Sequence, residues 1–159
     1  MSREKPDRKP LIAIVHNLDR AFAAHMVRAA HTLGRTELKP SHNFVFGVLG
    51  DDGDRSADMA ARAGITRQSM GEAVRELVDL GVLEMVPDPR DRRAKIVRYT
   101  DEGKAFAGQG FRHLRDLESR FEEEFGADYE ATRTVLERVT SILAELDEEL
   151  DAGRAPGQG

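Results

Sequence analysis

The chain has 159 residues and a formal net charge of -5, with 40% hydrophobic and 33% charged residues, seven Phe, two Tyr and no Trp. That length holds one domain with a core, or one domain with dimerisation arms, and the scarcity of aromatics suits a helical protein rather than a sandwich or barrel. The lack of any Cys excludes disulfides, thiolate metal sites and thiol redox switches, and no apolar run approaches the ~20 residues that span a bilayer, so a cytoplasmic chain with no membrane partner is expected.

Residues 1–10 read as a disordered polar tail and not as a signal peptide. From Leu11 to Gly34, the apolar residues Leu11, Val15, Leu18, Phe22, Met26, Ala29 and Leu33 keep helical spacing and predict an amphipathic helix. Lys39 to Leu49 predicts a shorter, more apolar helix with Pro40 in its first turn. After the loop Gly50–Asp54, Ser56 is placed to cap a helix with Met59, Ala60 and Ala63 on one face. Gly64 supplies a turn, and Thr66 caps a second helix whose inward residues are Met70, Ala73, Val74 and Leu77. This is helix-turn-helix spacing, with a small Ala60 permitting a close crossing and Gly64 free to take positive φ.

Gly81 ends the second helix with a left-handed cap, Val82–Val86 predicts a strand, and Lys95–Tyr99 predicts the returning strand. Pro87 and Pro89 stiffen the connection and display its arginines on a hairpin tip. A helix-turn-helix followed by a basic hairpin is a winged helix, with one element sized for the major groove and one cationic finger. Thr100 then caps a long helix to about Phe125, with Phe106, Phe111, Leu114, Leu117, Phe121 and Phe125 inward. Gly126–Asp128 breaks it, and Leu136, Val139, Leu143, Leu146 and Leu150 form a heptad seam that wants a partner helix. Residues 151–159 read as a second tail.

The stretch from Ser56 to Gly103, and above all GITRQSMGEAVRELVDLGVLEMVPDPRDRRAKIVRYTDEG, resembles the MarR (multiple antibiotic resistance regulator) family. The resemblance lies in the recognition helix, the Gly-Val-Leu entry to the wing, Asp91-Arg92-Arg93 at its tip, and Tyr-Thr-x-x-Gly opening the next helix. The expected fold is α+β, mainly α: a winged helix-turn-helix lobe over 38–100 with dimerisation helices over 11–34 and 101–150, in one domain over 11–150. Gly71 and Glu72 depart from the family pattern, which usually carries Ser or Thr and then a basic residue there.

Divided by region, the charge is +1 over residues 1–61, +2 over 62–100 and -8 over 101–159, and Arg90 to Arg98 holds five basic residues against Asp91 alone. Exposed charges act over ~8 Å at physiological salt, so DNA at the wing would feel the local patch more than the acidic helices. On the recognition helix, Thr66, Arg67, Gln68, Ser69, Glu72 and Arg75 are expected to face DNA. Gln68 suits adenine, Arg67 suits guanine or a phosphate, Glu72 could accept from cytosine, and Thr66 and Ser69 suit the backbone. The resemblance implies Arg93 as a minor-groove finger oriented by Asp91 through a charge-assisted hydrogen bond, with Arg90 and Arg92 on flanking phosphates.

It also implies a homodimer on a pseudo-palindromic operator, and a pocket for a small anionic aromatic effector, for which Phe22, His25, Phe44, Phe46 and Arg112 are the candidate lining residues. No catalytic residue, cofactor or metal is expected. His42 and His113 stay open as zinc ligands because some family members bind zinc between the lobes. A winged-helix protein-interaction module, its wing on an acidic partner, is the alternative reading.

Overall fold

The computed structural model describes residues 8–153, so the parts of the expected tails over 1–7 and 154–159 lie outside the described residues. The described residues form two compact units that divide between Leu114 and Arg115. Eight elements follow one another: α1 (Leu11–Thr32), α2 (Asn43–Val48), α3 (Ser56–Ala63), α4 (Arg67–Asp79), β1 (Leu83–Pro87), β2 (Lys95–Tyr99), α5 (Asp101–Phe125) and α6 (Ala127–Ala152), with a short 3-10 turn, Pro40–His42, before α2. The winged helix-turn-helix and the mainly helical α+β class read from the sequence are both present.

In the first unit, α1 buries Val27 and Ala30, while Leu11, Val15, Leu18 and Leu33 of its expected stripe stay exposed. The helix expected over Lys39–Leu49 is instead the 3-10 turn followed by α2, because the His42 ring folds back to accept the Lys39 N–H at Nδ1, 3.3 Å away. The turn of the helix-turn-helix is as expected: Gly64 takes φ of 65°, and Thr66 Oγ1 accepts the Ser69 N–H at 3.1 Å. Ser56 does not cap α3. Arg55 occupies that position in extended conformation, its guanidinium drawn to the wing, and Ser56 is already helical.

β1 and β2 pair antiparallel from Leu83 with Tyr99 to Pro87 with Lys95, one residue later on β1 than the sequence pattern places it. A bridge between Asp54 and Val97 ties the wing to the loop before α3. The core joins α1 to α4, both strands and the start of α5, and Val45, Met59, Met70, Val74, Leu77, Val82, Leu83 and Val97 are each fully enclosed. The Thr100-x-x-Gly103 sequence acquires a steric reason. Thr100 Oγ1 donates to the Gly81 carbonyl at 2.6 Å and accepts the Gly103 N–H at 2.9 Å, and a Cβ on Gly103 would lie 1.9 Å from the Val82 carbonyl oxygen.

Beyond Ala107 the expected inward face of α5 opens: Phe111 is 50% and Phe125 57% exposed. In the second unit, Phe121 meets Tyr129 with ring centres 6.2 Å apart across the break at Gly126. α6 buries no residue, and Leu143, Leu146 and Leu150 of its heptad seam are exposed. α6 continues two residues past Leu150 before ending at Ala152. Among the described residues, no helix is long and apolar enough to cross a membrane.

Candidate nucleic-acid interface

α4 turns Met70, Ala73, Val74 and Leu77 into the core, and this fixes which side of the helix meets solvent. Thr66, Arg67, Gln68, Ser69, Glu72 and Arg75, the residues expected to face DNA, are all exposed. They are not independent of one another. Thr66 and Ser69 share a hydroxyl–hydroxyl bond of 2.8 Å within the cap, and Gln68 Nε2 donates to Glu72 Oε1 at 3.0 Å. That bond engages the Gln68 amide nitrogen and leaves its oxygen and the Glu72 carboxylate as the acceptors of this exposed part of the helix. Arg67 and Arg75 have no ion-pair partner among the described residues, and Arg75 lies back over Gly71, close enough that a Cβ there would touch its guanidinium at 3.5 Å.

The wing tip is built from two successive Asx turns. Asp88 Oδ1 accepts the Arg90 N–H at 2.8 Å, Asp91 Oδ1 accepts the Arg93 N–H at 3.1 Å, and the loop closes with the Asp88 N–H on the Ala94 carbonyl at 3.0 Å. Asp91 therefore meets Arg93 through a charge-assisted bond to its backbone N–H, and the Arg93 side chain makes no ion pair among the described residues. Arg90, Asp91, Arg92 and Arg93 are all exposed.

Of the five basic residues counted on the wing, Arg98 is neutralised by Glu84 on the opposite strand at 2.7 Å, which leaves Arg90, Arg92, Arg93 and Lys95 without ion-pair partners among the described residues.

Sequence reasoning missed the brace beneath this tip. Arg55, at the start of α3, donates through Nε at 2.8 Å and through its terminal nitrogen at 2.6 Å to Asp88 Oδ2, and stands 3.7 Å from Asp91. Asp88 is buried at 5% exposure. The Arg90 N–H and then the Arg55 guanidinium hold its carboxyl below the usual carboxylate range, and Asp88 in turn raises the Arg55 guanidinium. The wing is thus pinned to the helix-turn-helix by a charge-assisted pair in which two guanidinium donors converge on one carboxylate oxygen. The available signal was the repeated Asp-x-Arg in Asp88-Pro89-Arg90-Asp91-Arg92-Arg93.

Within the first unit lies a cavity of about 690 Å³ lined mainly by apolar side chains of α1, α2 and α5. Phe22, His25 and Phe46 of the candidate effector residues line it; Phe44 and Arg112 do not. Phe44 packs against the hydrophobic core, and Arg112 is exposed and lies back over Gly108. His42 and His113 both reach the cavity, but each has another partner. His113 Nε2 is 2.9 Å from His25 Nε2, and His42 Nε2 is 2.7 Å from Glu76 Oε2. The His25 and His113 rings are inclined by 11° with centres 5.1 Å apart, a spacing that places them end to end rather than face to face. Among the described residues, no three or more His, Asp or Glu groups gather as a metal site.

Residues 37–94 match the sequence profile of the MarR family. The fold is similar to that of a MarR family transcription regulator, with TM-score 0.74 and 19% identity over 87% of this chain and 91% of the other. It is also similar to MarR, with TM-score 0.70 and 19% identity over 93% and 99% of the two chains. A third likeness is the PcaV transcriptional regulator from Streptomyces coelicolor, solved in complex with its natural ligand, with TM-score 0.64 and 23% identity over 91% and 99%. A comparison with curated proteins returns no match.

Proposed function

We propose that this chain, built around a MarR-family winged helix, is a homodimeric, sequence-specific DNA-binding transcriptional regulator that represses at a pseudo-palindromic operator and is released by a small ligand. The wing tip carries the reading. Arg90, Arg92 and Arg93 stand exposed and without ion-pair partners among the described residues, on a turn braced by Arg55 and Asp88. Clustered cations without ion-pair partners on a braced tip make a local positive potential that attracts a polyanion such as a phosphate backbone. The polar side of α4 adds a surface suited to base edges in the major groove.

The exposed Leu143, Leu146 and Leu150 of α6, with Leu11, Val15 and Leu18 of α1, support a second copy of the chain as partner. Two reading helices related by a two-fold axis would meet half-sites ~34 to 36 Å apart. The cavity, with Phe22, His25 and Phe46 on its wall, supports a small anionic aromatic effector. Such a ligand acts only through unequal affinity for the DNA-competent and incompetent states.

The test is selection of bound fragments from random duplex, followed by titration of the selected sequence at several salt concentrations. Steep salt dependence with preference for one duplex is expected. Indifference to every duplex, with the dimer intact, would instead favour the protein-interaction module.

A further inference from the structure

The wall of the cavity and the helix read here as the DNA-reading element share one carboxylate. Glu76 projects from α4 on the side facing the 3-10 turn, where Lys39 Nζ donates to both of its oxygens at 3.0 Å and His42 Nε2 lies 2.7 Å from Oε2. His42 and Lys39 also line the cavity. His42 is 1% exposed, so its ring nitrogens have no water to fall back on.

Its tautomer follows from its neighbours. Nδ1 accepts the Lys39 N–H at 3.3 Å, so the proton of the neutral ring sits on Nε2 and is donated to Glu76. Lys39 and His42 each use the other to hold the 3-10 turn, and both end on the same side chain of α4. The two contacts also hold the Glu76 carboxyl below its usual range, Lys39 contributing more than His42.

We infer that Lys39 and His42 are positioning residues for the recognition helix, acting through Glu76, and that this triad is the link by which the state of the cavity wall is felt at the DNA-reading surface. The inference rests on the DNA-binding reading above, but its structural half does not. α4 buries Met70, Ala73, Val74 and Leu77 in the core, an attraction without direction. A hydrogen-bonded carboxylate adds a directional hold on the helix. Any group that draws Lys39 or His42 toward the cavity takes a partner from Glu76, and a fixed α4 in turn holds the wall, since coupling is reciprocal.

The experiment uses the full chain with Glu76→Ala, Glu76→Gln and Lys39→Met, the selected duplex, and nuclear magnetic resonance of the histidine and Phe46 rings. Glu76→Ala orphans a buried donor and is expected to weaken binding of the selected duplex about 5- to 20-fold. The isosteric Glu76→Gln keeps an acceptor for His42 and is expected to recover most of that loss. Lys39→Met is expected to lower affinity a few-fold with an unchanged salt slope, whereas loss of a phosphate contact would reduce the slope by ~0.9.

Glu76→Ala is also expected to move the ring signals of His42 and of Phe46 on the cavity wall. Unmoved ring signals, a reduced salt slope in Lys39→Met, or failure of Glu76→Gln to recover affinity each overturn the inference. If the unaltered chain binds no duplex, the DNA reading falls alone, and the ring signals still decide whether α4 and the cavity wall are linked.

Discussion

Asp88 shows how a side chain that looks like turn filler becomes structural once the chain is folded. It accepts the Arg90 N–H and both Arg55 donors while almost wholly buried, so its removal leaves the turn and the guanidinium without their shared partner. Asp88→Ala is expected to destabilise the lobe by about 1 to 3 kcal/mol, read in urea unfolding, and to speed amide exchange of the wing. The pH dependence has a definite sign. A carboxyl held below its usual value contributes stability above that value and loses it as pH falls through the lowered one. Wing protection is therefore expected to persist through neutral and mildly acid pH and to disappear only below the ordinary carboxylate range.

Tyr99 makes the opposite case. Its hydroxyl is buried without a hydrogen-bond partner among the described residues, and burial, with a smaller effect of Asp51, pushes it up to about 12. Tyr99→Phe is expected to be neutral or to stabilise by up to about 1 kcal/mol in the same unfolding assay, and a clear loss would reveal a partner for the hydroxyl.

At the scale of elements, the join between wing and α5 leaves no room for a side chain at Gly103. The Gly103 Cα sits against the Val82 carbonyl, with Thr100 bonded to both the preceding strand entry and the new helix. Because the obstructing atom is backbone, Gly103→Ala is expected to cost more than the ~1 to 3 kcal/mol of ordinary overpacking, seen as a large drop in urea midpoint.

The wing itself separates two kinds of arginine by what they would touch. Arg93→Ala is expected to weaken binding of the selected duplex strongly. Arg92→Ala should lower affinity for all sequences and flatten the salt slope by about one phosphate's worth. Equal affinity of Arg93→Ala and the parent at two salt concentrations would remove Arg93 from the proposed role.

For the whole molecule, what remains uncovered in a single chain is as informative as what is packed. α6 buries nothing, and its leucines at 143, 146 and 150 are 57%, 47% and 67% exposed. Side chains of that size repeating on a heptad are covered in water by another helix. The double variant Leu143→Glu, Leu146→Glu is expected to sediment as a monomer, to keep the helical signal and core of the winged lobe, and to lose the advantage of a duplex with two half-sites over one with a single half-site. Sedimentation as a dimer would place the association surface elsewhere.

The winged helix was legible in the chain because its signals are local. Gly64 and Gly81 need positive φ, Thr66 needs a bond two or three residues away, and the inward face of α4 follows from period alone. The exposed character of Arg90, Arg92 and Arg93 followed equally from the prolines beside them. Tertiary structure alone decided the pairings. Arg55 meets Asp88 across 33 positions, His42 meets Glu76 across 34, and His25 meets His113 across 88. It also decided that Phe46 lines a cavity while Phe44, packed like it against the core, does not. The physical reason is that period and capping are properties of neighbouring residues, whereas a hydrogen bond between distant side chains exists only after the core has set the distance and angle between the helices that carry them.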